Sequence, residues 1–598
     1  MHVVATAGHV DSGKSTLVRA LTGMEPDRWE EERRRGLTID LGYAWTTLPS
    51  GQEVAFVDVP GHERFLGNML AGIGPAPVVC FVVAADEGWQ AQSDDHRDAV
   101  AALGIEHGVV VLSRADRASG QQVRDVLART RSELAGTGLR EAPAVAVSAV
   151  EGSGLDELKA ALDGVLAGVP SPVTTGRVRL WVDRSFTITG SGTVVTGTLG
   201  AGTLAQGDRL QLLGHAGPRD VTVRGLQSRD TVYTSVGPVS RVALNLRDVS
   251  AADVRRGDAL VTPEAWPTTG VLGIRRTTGV ACTDMPEQLM VHVGTASVPA
   301  RLRPFGPDHA RLVLSRPAPL VLGDRLVLRD PGSRSVLGGA LVLDADPPPL
   351  QRRGDGAQWA QRLAAMDPAG DVLAEVAARG AVEVQHLHRL GLLSEHGAQA
   401  PSGVRVLGDW WVHAPVIDAW QQRLRAAVEA LHERDPLAPG LSMGAARDLL
   451  ALPDERLLAP LVRGAGLEQD GGHLRLPGSG DDLGPIGPAV AELERRLTAH
   501  AFRAPEADEL AALGLGAREL AAAERAGRVL RLRDGVVLLP TAPALAMRTL
   551  ARLEQPFTTS QAREALGTTR RIAVPLLEHL DSRGWTRRLD AGHRSVVR

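Results

Sequence analysis

Lysine and cysteine are almost absent from this 598-residue chain. Lysine occurs only at Lys14 and Lys159 among 66 cationic residues, and cysteine only at Cys80 and Cys282. Two cysteines so far apart exclude a disulfide framework. Cys80, inside the apolar run Val78–Val83, reads as a reduced, packed thiol, so a cytoplasmic location is expected. No apolar run reaches membrane-spanning length, and no signal-like stretch precedes the first apolar strand, so no membrane association is expected. A positive excess is missing too. The formal net charge is −4, which argues against nucleic-acid affinity spread over the whole chain and leaves room only for local basic patches. The scarcity of lysine reflects an arginine-favouring base composition and carries no function by itself.

One of the two lysines stands in Gly8-His9-Val10-Asp11-Ser12-Gly13-Lys14-Ser15, followed by Thr16. In such a Gly-x4-Gly-Lys-Ser loop the backbone N–H groups cradle phosphate and the Ser15 hydroxyl can ligate Mg²⁺. The compact Lys14 ammonium sits between β- and γ-phosphates, a place that a planar guanidinium fills poorly. Three further motifs follow strands in order. Asp58-Val59-Pro60-Gly61-His62 places a carboxylate for water-mediated Mg²⁺ binding and a Gly61 N–H for the γ-phosphate. Asp116 can accept two hydrogen bonds from a guanine edge. Ser148-Ala149 can offer a backbone contact to the guanine carbonyl. Each motif alone reads as a solvated turn; the four in order read as a GTPase. The usual Asn-Lys-x-Asp signature is Ser113-Arg114-Ala115-Asp116 here. Loss of the Asn amide costs about 0.5–1.5 kcal/mol of nucleotide or loop contact, while the guanine discriminator Asp116 remains.

Texture along the chain divides it into several domains. Residues 1–170 alternate strands (2–7, 54–59, 78–85, 109–113, 144–148) with helical patterns starting near Lys14, Ala91, Gln121 and Leu155. That alternation predicts an α/β, doubly wound P-loop G domain. Short strands with glycine turns then predict two β-barrels, 171–264 and 265–346, followed by the stiff linker Asp346-Pro347-Pro348-Pro349. Residues 353–598 repeat amphipathic helices followed by hairpins turning at 408–409, 470–472, 534–535 and 590–592. This predicts an α+β tail of four winged-helix modules, the last spanning 541–598.

Residues 27–43 carry a family resemblance. Arg35-Gly36-Leu37-Thr38-Ile39 resembles switch I of the translational GTPases, and the barrels resemble domains II and III of elongation factor Tu. Gly192–Leu199 with Gly207-Asp208 matches domain II, and Val321–Asp330 with Gly338-Gly339 matches domain III. With Leu37-Thr38-Ile39-Asp40-Leu41-Gly42 in the switch and a winged-helix tail, the whole chain resembles the selenocysteine-specific elongation factors, often called SelB. The resemblance implies that Thr38 joins Ser15 and Asp58 around Mg²⁺ only with GTP, and that His62 is the catalytic histidine. It also implies that Val10 and Leu37 form the apolar gate before that histidine, and that the ribosome stimulates a slow intrinsic hydrolysis. Asp183, Arg184 and Arg241 match the aminoacyl pocket of domain II, where cations distinguish an ionised selenol from a serine hydroxyl.

The tail would supply the remaining partner. Residues 541–598 hold ten arginines against five acids. Arg570 and Arg571 open an expected recognition helix, while Arg587, Arg588 and Arg594 straddle the last hairpin turn. With the resemblance, these imply a grip on an mRNA hairpin read by shape, phosphates and an unpaired base, with a log K against log salt slope of about −3 to −4. The expected protein is a monomer that uses GTP and Mg²⁺ and binds selenocysteyl-tRNA, an mRNA hairpin and the ribosome. The alternative from another class is a GTP-switched RNA-binding or ribosome-associated regulator that carries no aminoacyl-tRNA. A P-loop ATPase stands third, and Asp116 argues against it.

Overall fold

The computed structural model describes residues 2–26, 38–190, 192–333, 335–350, 352–393, 398–478 and 483–597. The chain forms two units, Met1–Glu375 with Val382–Pro401, and Val376–Ala381 with Ser402–Arg598.

The first unit begins with a six-stranded sheet made of β1 (His2–Ala7), β2 (Gly42–Thr47), β3 (Glu53–Asp58), β4 (Val78–Ala84), β5 (His107–Ser113) and β6 (Ala144–Ala146). The strand order is β2-β3-β1-β4-β5-β6, with β2 antiparallel to β3 and the other pairs parallel. The helices are α1 (Lys14–Thr22), α2 (Leu66–Ile73), α3 (Ala91–Leu103), α4 (Gly120–Leu134) and α5 (Leu155–Ala167). Every residue of β4 is buried because a separate apolar cluster covers each face of the sheet, which explains why this strand reads as an unbroken apolar run. The phosphate loop, the Asp58 loop and the Ser113–Asp116 loop leave the carboxyl ends of β1, β3 and β5, where open parallel sheets bind ligands.

Two barrels follow. In the first, Arg209–Leu213, Ala259–Val261, Arg179–Ile188, Gly192–Leu199, Ser240–Arg247 and Arg219–Ser228 form a ring closed by the pairing of its end strands. In the second, Thr269–Arg276, His309–Ala318, Ala296–Pro304, Gln288–Val293, Arg325–Arg329 and Val336–Asp344 close a six-stranded barrel. Full closure removes exposed strand edges. The connection between the barrels is clamped at Trp266, with the Arg177 and Arg179 guanidinium carbons 4.0 and 4.4 Å from its ring centroid.

The second unit consists of helices of up to 21 residues (Ala414–Arg434), each group followed by a hairpin, and the four hairpins turn at the positions read from the sequence. The last two groups share one apolar core running from Leu483 to Leu580 and including Val536–Leu538, Phe557 and Leu576. Thr568 Oγ1 donates to the Phe502 carbonyl at 2.6 Å, fastening the start of the final helix (Arg570–Ser582) to the preceding group. A chain truncated after residue 540 will therefore expose half of that core. The expected result is a lower unfolding temperature and aggregation of the remaining tail, measured by scanning calorimetry and light scattering.

Candidate functional site

Lys14 and its loop are held by the loop's own backbone. Gly13, with φ +86°, turns the chain into α1, and Lys14, 6% exposed, donates to the carbonyls of Gly8 (3.0 Å) and His9 (2.6 Å). Burial pulls the Lys14 ammonium down to about 8 against the opposing attraction of Asp58 and Asp11. A bound polyphosphate favours the charged form, so binding takes up a proton above that pH. Nucleotide affinity is expected to fall as pH rises past about 8, by up to about tenfold per unit. Titration of a fluorescent GDP between neutral and alkaline pH in buffers of different ionisation heat checks both the slope and the proton uptake. For the free protein the sign reverses: between about 8 and the ordinary lysine value the unfolded chain holds more protons, so this site's contribution to stability rises with pH there.

His96 escaped the sequence reading. It lies on α3, 2% exposed; its Nδ1 accepts the Gly8 N–H at 3.1 Å, and the ring is also bonded to the Gly61 backbone. Burial, then the Lys14 charge, lowers its pKa to about 3, so the neutral imidazole ties the first phosphate loop to the second. Beside it, the Val10 N–H donates to Gln92 Oε1 at 3.3 Å. His96→Leu is expected to weaken GTP and GDP binding by about one hydrogen bond at each loop, roughly tenfold in all, read by equilibrium titration. A lone histidine in an amphipathic helix gave no signal, because its partners lie dozens of residues away.

Ser15, Thr38 and Asp58 converge. Ser15 Oγ donates to Asp58 Oδ2 at 2.6 Å and lies 3.0 Å from Thr38 Oγ1, while Thr6 Oγ1 donates to Asp58 Oδ1 at 2.8 Å. Two hydroxyls and a carboxylate form a hard oxygen set of the kind that suits Mg²⁺. Gly61 approaches the phosphate loop so closely that a Cβ there would lie 2.6 Å from Lys14 Nζ and 2.5 Å from the Val10 nitrogen. Only glycine fits at that point. A cavity of about 600 Å³ is lined by Val10, Asp11, Gly13, Lys14, Ser15, Thr16, Thr38 and Gly61 at one end, and by Ser113, Arg114, Asp116 and Ala149 at the other. His62 is not among its lining residues; its Nδ1 instead accepts the Arg64 N–H at 3.2 Å and its ring stands 6.1 Å from that of Phe65. Leu37 and the Arg35-Gly36 part of the switch lie outside the described residues.

At the Asp116 end of the cavity, the departure from Asn-Lys has a local answer. Ser113 Oγ donates to the Ser12 carbonyl of the phosphate loop, and the Arg114 guanidinium reaches the Asp11 carbonyl and bonds Glu87 at 2.6 Å. The two loops are thus joined without the amide. A hydrogen bond from the fully buried Ser148 side chain holds the Asp116 carboxyl below the usual carboxylate range. On the guanine-reading role expected of Asp116 from the sequence, Asp116→Asn exchanges an anionic acceptor for a neutral amide, and GTP affinity is expected to fall on the order of 100-fold or more; competition with xanthosine triphosphate reads the change in preference.

Asp183, Arg184 and Arg241 meet on the first barrel, where the G domain packs against it. Arg241 forms a forked pair with Asp183, both contacts at 3.1 Å, and Thr196 Oγ1 bonds both partners. Arg184 pairs with Asp40 at 3.3 Å. Tyr43 of β2 was not read as a site residue. Its ring centroid lies 3.3 Å from the Arg241 guanidinium carbon, its OH donates to Asp183 Oδ2 at 3.3 Å, and burial pushes its phenol pKa up. Arg256 extends the link, bonding Asp40 (2.5 Å), Asn68 of α2 (2.7 Å) and the Asp183 carbonyl (2.9 Å). Asn68 in turn donates to the Ile39 carbonyl at 2.9 Å. The segment after Thr38 is therefore wired into the barrel residues. Arg184 and Arg241 are both already paired with carboxylates, which the sequence could not reveal.

In the tail the five chosen arginines separate. Arg570, Arg587 and Arg588 are exposed. Arg571 turns inward to the Ala504 and Pro505 carbonyls and to Glu506, and Arg594, 6% exposed, pairs with Asp581 at 2.9 Å and donates to Thr559. Arg571 thus ties the final helix to the preceding group, and Arg594 braces its own module from inside.

The phosphate loop, hydroxyl–carboxylate trio and Asp116 on this sheet, followed by two closed barrels, define a translational GTPase. Family models agree: residues 1–167 match the elongation factor Tu GTP binding domain, residues 284–349 the β-barrel domain of selenocysteine-specific elongation factor, and residues 548–594 the winged helix of elongation factor SelB. The chain is 35% identical over 470 residues to the selenocysteine-specific elongation factor of Escherichia coli K12, covering 77% of this chain and 75% of that one. It is 29% identical to that of Desulfomicrobium baculatum, with 98% of each covered. A crystal structure of a bacterial selenocysteine-specific elongation factor, EF-Sec, aligns over 100% of both chains with a TM-score of 0.77 and 25% identity. The chain belongs to the family of selenocysteine-specific elongation factors. No helix among the described residues is long and apolar enough to cross a membrane.

Proposed function

We propose that this GTPase carries selenocysteyl-tRNA to the ribosome at recoded UGA codons while its C-terminal tail holds an mRNA hairpin. The observation that carries the reading is the arginine–carboxylate cluster of the first barrel, joined through Tyr43, Asp40 and Arg256 to the segment that follows Thr38. An incoming selenolate competes with Asp183 for Arg241 and with Asp40 for Arg184. A neutral serine hydroxyl cannot offset the loss of those ion pairs. A regulator that carries no aminoacyl group has no use for such a pocket.

In this reading residues 1–170 are the G domain, 171–264 hold the aminoacyl pocket and 265–346 bind tRNA, while the modules of 353–598 act as a spacer ending in the RNA-binding group. Gly8–Thr16 and Gly61 bind the phosphates, and Ser113, Arg114, Asp116, Ser148 and Ala149 bind the base. Ser15, Thr38 and Asp58 would hold Mg²⁺, which would supply positive charge against the bound polyphosphate. Thr38 and Gly61 are drawn to the γ-phosphate, and the pull passes along Ile39–Tyr43 to Arg184, Arg241 and Arg256, so that nucleotide state sets the pocket. His62 orients water for hydrolysis after leaving its bond to the Arg64 N–H. His62→Ala is then expected to leave GTP affinity within about twofold and to lower ribosome-stimulated hydrolysis by about 10³-fold or more, measured by single-turnover phosphate release. The pocket is tested by comparing selenocysteyl-tRNA with seryl-tRNA on the same tRNA body; equal affinities would sink the reading.

A further inference from the structure

We propose that the outer face of the last hairpin, centred on Trp585, is a stacking platform for an unstacked RNA base, flanked by phosphate-binding arginines. This rests on the RNA-binding reading of the tail and adds to it the residue that reads a single nucleotide. The strands Thr586–Arg588 and His593–Val596 pair Thr586 with Val596, Arg587 with Ser595 and Arg588 with Arg594. Thr586 and Arg594 are buried, so the alternate residues face outward. Three rows result on that outer face: Trp585 beside Val597, Arg587 beside Ser595, and Leu589 beside His593, the outer rows joined by the Val597 N–H to Trp585 carbonyl bond (3.0 Å) and the Leu589 N–H to His593 carbonyl bond (2.9 Å).

Trp585 is 41% exposed, Val597 51% and Leu589 53%. Among the described residues it is the one tryptophan in the exposed class; the others are packed or half-covered. Arg583 and Arg587 beside it are exposed, and among the described residues neither guanidinium group makes a hydrogen bond or ion pair, their bonds being those of the backbone. An exposed aromatic between unpaired guanidinium groups, in a chain with a formal charge of −4, is complementary to a polyanion that offers a π-face. An RNA nucleotide outside a helix has both features: the base stacks on the indole, and the adjoining phosphates meet Arg583 and Arg587. Duplex RNA keeps its bases stacked inside and can use only the arginines.

The test uses the full chain and two RNA hairpins, one with a single bulged 2-aminopurine in its stem and one with the bulge removed. Trp585→Ala is expected to weaken the bulged hairpin by about tenfold or more, to remove the fluorescence quench on binding and to leave the bulge-free hairpin within about twofold. Trp585→Phe keeps most of the affinity and the quench. Arg583→Ala and Arg587→Ala should weaken both hairpins alike, each lowering the salt slope by about one. Equal losses on both hairpins with Trp585→Ala, or no loss, overturn the stacking proposal, provided thermal unfolding shows the variant folded. If the wild-type chain binds neither hairpin at low salt, the RNA reading of the tail falls as well. If the arginine variants weaken both while Trp585→Ala changes neither, only the platform falls.

Discussion

Lys14→Ala is expected to lower GTP and GDP affinity by about 10²–10³-fold, because it removes the buried ammonium proposed to meet the β- and γ-phosphates. Lys14→Arg should lose nearly as much. This is the more instructive variant in a chain that uses arginine almost everywhere else. The ammonium lies between the Gly8 and His9 carbonyls, and even a single carbon on Gly61 would sit 2.6 Å from it. A planar guanidinium with its five donors has no room there and would push the Gly61 loop outward. Unlike Lys14→Ala, which leaves space, Lys14→Arg should also disturb the Gly61–His96 bond. Equilibrium titration with a fluorescent GDP reads the affinity. Asp116, at the far end of the cavity, should keep the residual preference for guanine.

Arg241→Ala carries the second large effect. It removes the forked partner of Asp183 and leaves a buried carboxylate beside Tyr43. Selenocysteyl-tRNA affinity in the GTP state should fall by about 10²-fold, while seryl-tRNA changes little, so discrimination collapses. Tyr43→Phe separates two roles of the ring. It keeps the cover over Arg241 and deletes only the bond to Asp183, so the expected loss is about the value of one hydrogen bond to a charged group, roughly tenfold. Tyr43→Ala removes both, and should also uncouple the pocket from the nucleotide, narrowing the gap between GTP- and GDP-state tRNA affinities. Filter binding with each nucleotide measures both quantities.

Most of the G domain was legible because its chemistry sits where strands end. The phosphate loop, Asp58-Val59-Pro60-Gly61 and Ser113–Asp116 follow apolar runs, so spacing and residue type sufficed. The α2 helix was missed because Gly67 and Gly72 interrupt its pattern; it stands because it packs under β1 and β3. Tyr43 and His96 were invisible for a different reason. Tyr43 meets Asp183 across 140 residues of sequence and His96 meets Gly8 across 88, distances that local pattern does not span. The arginines show the limit from the other side. Sequence counted ten in residues 541–598 but could not tell Arg570 and Arg587, which face solvent, from Arg571 and Arg594, which bind carbonyls and Asp581. A charge count locates a basic region; only packing decides which charges are free. The replacement of Asn-Lys by Ser113-Arg114 belongs here too, since its compensation runs through the carbonyls of Ser12 and Asp11, residues of another loop.

Because the nucleotide cavity and the arginine cluster of the first barrel share the segment from Thr38 to Tyr43, one comparison tests both the proposed pocket and its coupling. Affinity for selenocysteyl-tRNA and for seryl-tRNA, on the same tRNA body, should be measured with a non-hydrolysable GTP analogue and with GDP. The expected result is tight binding of selenocysteyl-tRNA alone, with the analogue alone, and weak binding in the other three combinations. Equal affinity for the two aminoacyl groups with the GTP analogue would contradict the pocket, and equal affinity in the two nucleotide states would contradict its coupling to Thr38.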